Sequence, residues 1–298
     1  MRASAKRRGM SEKKLTERHF KPADADAEYA KQEKGQPNTD HPAYRLAFQD
    51  SDFLLREELR PVRFQLELLK PEMLLEEAGI ASTLVIYGSA RIPAPDQVEA
   101  LLERATDDAE REVAGRLAEK AKYYEEAREL ARLASTCAPT EDDGKRHFVV
   151  CSGGGPSIME AANRGASEAG AESIGLNIVL PHEQAPNEYV TPSLSFQFHY
   201  FALRKMHFLM RARALAVFPG GFGTFDEFFE TLTLIQTGKM EPIPILLFGK
   251  GFWSRVINFE ELALEGTIST KDLDLFQMVD SADEAWNIVK RFYDLTCD

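Results

Sequence analysis

Three short apolar runs, each ending in a glycine-bearing loop and each followed by a helical pattern, constrain this chain more than any other feature. They are Thr83–Tyr87 (TLVIY) before Gly88-Ser89-Ala90-Arg91, Phe148–Cys151 (FVVC) before Ser152-Gly153-Gly154-Gly155, and Leu215–Phe218 (LAVF) before Pro219-Gly220-Gly221-Phe222-Gly223-Thr224. A strand that is apolar at every position must be buried on both faces, and a parallel sheet with helices on each side meets that condition. Further strands are predicted at Ser173–Leu180, at Ile243–Phe248 and near Phe276–Val279. Helical patterns fall at Ile158–Ala169, Phe201–Arg211, Phe225–Gln236, Phe252–Leu264 and Ala282–Tyr293. Pro156 is expected to open the first of these helices, where its missing N–H costs nothing. The fold class expected is α/β, a doubly wound parallel sheet.

The flanking segments read differently. Residues 1 to 45 are polar and almost free of large aliphatic side chains, so they are expected to be a disordered charged tail. Residues 46–80 carry a helical pattern that Pro61 and Pro71 are expected to break, giving an N-terminal helical extension. Residues 81–298 form the main domain, with a charged helical insert at about 95–140, expected to be broken once. The net charge is −12, and residues 1–20 hold seven basic and two acidic residues, so the tail is +5 and the remainder −17. A surface that acidic repels a phosphate backbone, so no nucleic-acid partner is expected. No apolar run approaches the roughly 20 residues of a membrane span, and no apolar core follows the basic N-terminus as in a secretory signal. Cys137, Cys151 and Cys297 form neither a C-x-x-C pair nor a zinc spacing. A cytoplasmic, reducing location, no disulfide framework and no metal are therefore expected.

In an open parallel sheet, ligands bind outside the carboxyl ends of the strands, where all three glycine loops fall. Glycine lets backbone N–H groups approach an anion, and the following helix adds unpaired donors and the positive end of its dipole. None of the loops ends in the G-K-[ST] of a P-loop, and the triple glycine is a poor G-x-G-x-x-G, so a monophosphate fits better than a triphosphate or a dinucleotide. Arg204 lies early in the helix before the Leu215–Phe218 strand and Glu227 early in the helix after it, so a cation and a carboxylate are expected to converge beside Pro219–Thr224. Two other roles stay open. Thr224-Phe225-Asp226-Glu227 has the spacing of a capping box, and Arg204 can be an ordinary ion-pair partner of Glu227 or Asp226.

These residues resemble the Lonely Guy (LOG) family, long mislabelled as lysine decarboxylases, over about residues 82–295. The resemblance rests on Gly153-Gly154-Gly155-Pro156, on Arg204-Lys205, and on Pro219-Gly220-Gly221-Phe222-Gly223-Thr224-Phe225-Asp226-Glu227. The Gly88–Arg91 loop and Pro181-His182-Glu183-Gln184 look like a longer, bacterial-type branch. The resemblance implies a Rossmann-like catalytic domain and a homodimer or higher homo-oligomer. It implies a phosphoribohydrolase of AMP-nucleosidase type, using no cofactor. Such an enzyme releases free base and ribose 5-phosphate from AMP or from N6-substituted, cytokinin-type AMP. Lysine decarboxylation needs a pyridoxal Schiff base and a partner for the pyridine nitrogen, and no such constellation is visible. Ser157 departs from the pattern, which often has glycine there, and Met206-His207-Phe208 displaces the methionine that usually follows the Arg-Lys pair.

On this resemblance Glu227 is the catalytic carboxylate and Arg204 orients it or the ribose. Gly154, Gly155, Gly220, Gly221, Gly223 and Thr224 hold the phosphate, with Ser89 and Lys205 as further binding residues. Glu183 and Asn187 are candidates for the base or ribose, and Asn163 for the wall of the site. His182 and His199 are read as structural. The alternative is a non-catalytic nucleotide- or molybdenum-cofactor-binding carrier of the same fold, or a scaffold whose charged helices serve partners.

Overall fold

The computed structural model describes residues 22–32, 39, 41–139, 143–181 and 185–296. The basic tail, His182, Glu183, Gln184 and Cys297 lie outside them. Strands β1 (Thr83–Tyr87), β2 (Val149–Ser152), β3 (Ile174–Ile178), β4 (Ser195–Phe198), β5 (Ala212–Val217), β6 (Ile245–Phe248) and β7 (Gln277–Val279) form one sheet in the order β4-β3-β2-β1-β5-β6-β7. Every neighbouring pair is parallel. The order reverses direction at β1, so the crevice for a ligand opens where β1 and β5 end.

The twelve helices of the described residues are α1 (Ala23–Gln32), α2 (Ser51–Leu54), α3 (Arg60–Glu77), α4 (Val98–Arg104), α5 (Asp108–Ala118), α6 (Lys122–Cys137), α7 (Ile158–Glu168), α8 (Phe201–Met210), α9 (Phe222–Gln236), α10 (Lys250–Val256), α11 (Phe259–Leu264) and α12 (Ala282–Tyr293). Alternate residues of β1 feed two separate cores, as a two-residue period requires. Leu84 and Ile86 pack with α6, α7 and α12. Val85 and Tyr87 pack with residues of α3, α8, α9 and α10. The chain is α/β and Rossmann-like, with helices on both faces of the sheet.

Several expectations need correction. Strand β4 was not anticipated: its Ser-Phe-Gln-Phe alternation is four residues long at an open edge, with Gln197 exposed and Phe196 and Phe198 buried. The Phe252–Leu264 helix is two helices, because the Asn258 side chain accepts from Glu261 N and starts a new one. Pro156 does not open α7. The helix begins at Ile158, and its cap, Ser157, has φ 67° and ψ −123°. The segment expected as an insert holds α4, α5 and α6, a stretch broken twice. Of these, α6 is the β1–β2 crossover, so closely packed on α7 that a Cβ at Gly165 would sit 2.0 Å from Arg128 O. Cys137 is disulfide-bonded, against the expected absence of cross-links, whereas Cys151 is a buried free thiol.

The chain divides into Met1–Arg63 and Phe64–Asp298. In the first unit α1 occupies part of the expected disordered tail, and Asp50 caps α2 by accepting from Phe53 N at 3.2 Å. In the second, Pro71 lies inside α3 and does not break it. Proline there leaves Glu67 O without its helical donor, and His207 Nε2 takes that place at 3.2 Å. His207 is almost fully buried, and burial lowers its pKa, so it acts as a neutral donor. The Glu67 carboxylate accepts from His199 N and Tyr200 N at 2.9 and 3.2 Å, filling orphan donors at the start of α8. Thus α3 fixes the helix that carries Arg204. Among the described residues, no helix is long and apolar enough to cross a membrane.

Candidate active site

Three connections meet over the carboxyl ends of β1, β2 and β5. Ser89 N donates to Pro219 O at 3.1 Å and Phe218 N to Tyr87 O at 2.8 Å, tying the β1 loop to the β5 loop. The cleft they border has a volume of about 1090 Å³, and Ser89, Gly155, Gly220, Gly221, Gly223 and Thr224 all line it. The Pro219–Thr224 segment is shorter as a loop than its sequence suggests, because α9 already begins at Phe222 with Gly221 as its cap. The first helical N–H with an acceptor is that of Phe225, donated to Gly221 O at 3.1 Å. The N–H groups of Phe222, Gly223 and Thr224 are therefore the orphan donors of a fifteen-residue helix opening on the cleft. Such a terminus favours an anion by its bare donors and its dipole. Gly220 is needed here, because a Cβ would sit 2.2 Å from Thr224 Oγ1.

This start of α9 removes the capping-box reading. Glu227 is the sixth helical residue rather than the third and does not reach back to a cap. Its Oε1 instead accepts from Arg204 Nη1 at 3.1 Å, with the two side chains only 13% and 11% exposed. Arg204 is held on three sides. Its Nε donates to Leu176 O at 2.7 Å, its guanidinium lies 4.9 Å from the centre of the Phe208 ring, and Nη2 passes Gly153 so closely that a Cβ there would be 2.6 Å away. Burial raises the pKa of Glu227 from 4.5 to about 7; the Arg204 charge opposes the rise and Asp226 adds to it. A carboxylate that titrates near neutrality, beside a fixed cation, suits proton transfer or stabilisation of a growing positive charge.

Other candidates are placed elsewhere. Lys205 does not line the cleft; its ammonium sits between Asp226 and Glu230 at 3.2 and 3.0 Å. Gly154, at φ 72°, gives its N–H to Ser152 Oγ and has the Asn177 side chain against its Cα, so its neighbour Gly153 lines the cleft instead. Asn163 is fully buried, bonded to Ser152 Oγ at 2.7 Å and to Ser173 Oγ at 3.0 Å. Asn187 donates to Gly154 O, Gly155 O and Asn163 Oδ1 at 3.1, 2.9 and 3.0 Å. Both asparagines brace the triple-glycine turn and do not touch the cleft. Asn177, Gln197 and Phe222 line it and were not singled out from sequence. The signal for Asn177 was an amide late in an otherwise apolar strand, and Phe222, 97% exposed, sits inside the most specific motif.

The model of a family described as possible lysine decarboxylase matches residues 159–289, a narrower span than the 82–295 expected. Cytokinin riboside 5′-monophosphate phosphoribohydrolase LOG2 of Arabidopsis thaliana is 28% identical over 125 residues, covering 41% of this chain and 57% of that protein. LOG4 of the same plant is 28% identical over 149 residues, covering 48% and 65%. The chain thus spans less than two thirds of these curated relatives. Solved structures similar to it include the molybdenum cofactor binding protein of Rippkaea orientalis, with 16% identity, a TM-score of 0.41, and 71% of this chain and 98% of that one covered. The Moco carrier protein of Chlamydomonas reinhardtii gives 18%, 0.42, 72% and 98%. Over residues 159–289, which include the Pro219–Glu227 motif, the chain is similar to the Lonely Guy phosphoribohydrolases.

Proposed function

We propose that the chain hydrolyses the N-glycosidic bond of purine nucleoside 5′-monophosphates, AMP or N6-substituted AMP, to free base and ribose 5-phosphate. The observation that carries the proposal is the Arg204–Glu227 pair, buried at the cleft whose other border is the open N-terminus of α9. The phosphate sits on the N–H groups of Phe222, Gly223 and Thr224, which places the ribose beside Glu227. As the C1′–N bond breaks, its electron pair leaves with the base and positive charge grows on the sugar. Glu227 stabilises that charge and takes the proton of the water that bonds to C1′, and that proton ends on the departing base, so neutral base and ribose 5-phosphate leave. Arg204 holds the carboxylate in position and keeps part of it ionised despite burial.

Phosphate binding also fixes the sugar in its reactive geometry, so a nucleoside without phosphate loses rate as well as affinity. The test is a panel of nucleoside 5′-monophosphates, with adenosine as control, assayed for released base. Rapid release from a monophosphate and slow release from adenosine are expected. Equal rates would remove the anion cradle from the account, and tight binding without any release would favour the carrier reading.

A further inference from the structure

We propose that the cleft continues on its β6 side into a second anion subsite, built by Lys120, Lys122 and Arg255, that takes the outer phosphate of a nucleoside 5′-diphosphate. The proposal rests on the monophosphate reading of the main cleft and extends it. A second cavity of about 500 Å³ is lined by Lys120, Lys122, Tyr123 and Arg255, with Glu119 and Asp280 as its acids. Lys120 lines both cavities and joins them.

The charges at this wall are unbalanced. The chain carries 48 acidic against 36 basic residues, so most cations can find a carboxylate. Among the described residues, none of Lys120, Lys122 and Arg255 has one. The Lys120 ammonium donates to Arg116 O at 2.5 Å, and that of Lys122 lies 5.1 Å from the centre of the Tyr123 ring. Asp280 is already engaged, its Oδ1 accepting from Lys250 N at 3.1 Å and its Oδ2 lying 3.8 Å from Lys250 Nζ. Glu119, exposed and next to Lys120 in sequence, remains the single acid against three cations. Burial and the nearby Arg255 charge lower the pKa of Lys120. An anion bound there relieves that strain.

The topology gives the subsite its direction. From one side of the cleft to the other run Asn177 and Gln197 of β3 and β4, the Arg204–Glu227 pair, the start of α9 after β5, and then Phe252 and Val256 of α10 after β6. Gly249, at φ 93°, leaves room for the Tyr123 hydroxyl, which sets the start of α6 beside the end of β6. A nucleotide with its ribose at Glu227 and its α-phosphate on α9 extends a further phosphate toward Lys120, away from the base. Diphosphates then compete with monophosphates for the cleft.

The test is calorimetric titration of AMP, ADP and inorganic pyrophosphate, without divalent cations, into the full chain and into Lys122→Ala/Arg255→Ala, whose changes lie outside the main cleft. ADP is expected to bind about tenfold more tightly than AMP, with a steeper loss on adding salt. In the variant the two nucleotides should bind alike, with AMP affinity unchanged. ADP no tighter than AMP, an advantage that survives in the variant, or an equal loss for AMP would overturn the subsite. Pyrophosphate separates the two readings. If it binds the full chain and not the variant while AMP binds neither, the subsite stands and the monophosphate reading falls.

Discussion

Replacing Glu227 with glutamine should abolish base release and, at alkaline pH, stabilise the fold. The sign follows from the carboxyl group's own titration. Its pKa is about 7 in the folded chain against an ordinary 4.5. A group raised in this way contributes stability that is fully present below pH 4.5 and is lost as pH rises through about 7. Working the two titrations through, ionisation costs the folded state about 1 kcal/mol at pH 5 and about 3 kcal/mol at pH 8, a difference of about 2 kcal/mol. Glutamine has no such dependence. It also keeps an oxygen acceptor for Arg204 Nη1, which now donates to Oε1 at 3.1 Å. Urea unfolding of both proteins at the two pH values reads the effect directly. The stability of Glu227→Gln relative to the natural chain should rise by about 2 kcal/mol from pH 5 to pH 8. A gap that stays constant over that range would show that Glu227 ionises normally, and the reasoning from burial would fail.

Three further outcomes follow from the same geometry. Base release should rise through about pH 7 as Glu227 ionises; a profile that falls over that range would make it an acid rather than a base. Gly153→Ala should lower kcat by about 100-fold with a small effect on the melting temperature, because the new methyl displaces Arg204 Nη2; unchanged kcat would mean that the guanidinium position does not matter. Ser157→Gly should raise the unfolding midpoint, since a non-glycine residue at φ 67° costs about 1–3 kcal/mol and the hydrogen bond lost to Ile92 O contributes about 1 kcal/mol. A lowered midpoint would show that this bond outweighs the strain.

Much of the fold was legible because buried parallel strands carry their own signal, an unbroken apolar run ending in glycine. Strand β4 escaped because an edge strand needs only one apolar face, and Ser-Phe-Gln-Phe is too short to announce a period. Pro71 was misread for a physical reason. Proline usually breaks a helix, but here His207, more than a hundred residues away, supplies the donor that Glu67 O lacks. The pairing of Arg204 with Glu227 was legible from topology alone, since helices before and after one strand share its carboxyl edge. Spacing alone does not exclude the capping box, because it assumes where a helix starts, and that start depends on glycine backbone geometry. Lys205 shows the opposite failure: it sits beside a correctly placed residue, and its ammonium is held by Asp226 and Glu230 outside the cleft.

The most direct measurement is the stoichiometry of products from a nucleoside 5′-monophosphate incubated with the natural chain and with Glu227→Gln. The account predicts free base and ribose 5-phosphate in equal amounts from the first and neither from the second, with both proteins folded. Base release that persists in Glu227→Gln, or phosphate appearing in place of ribose 5-phosphate, would contradict it.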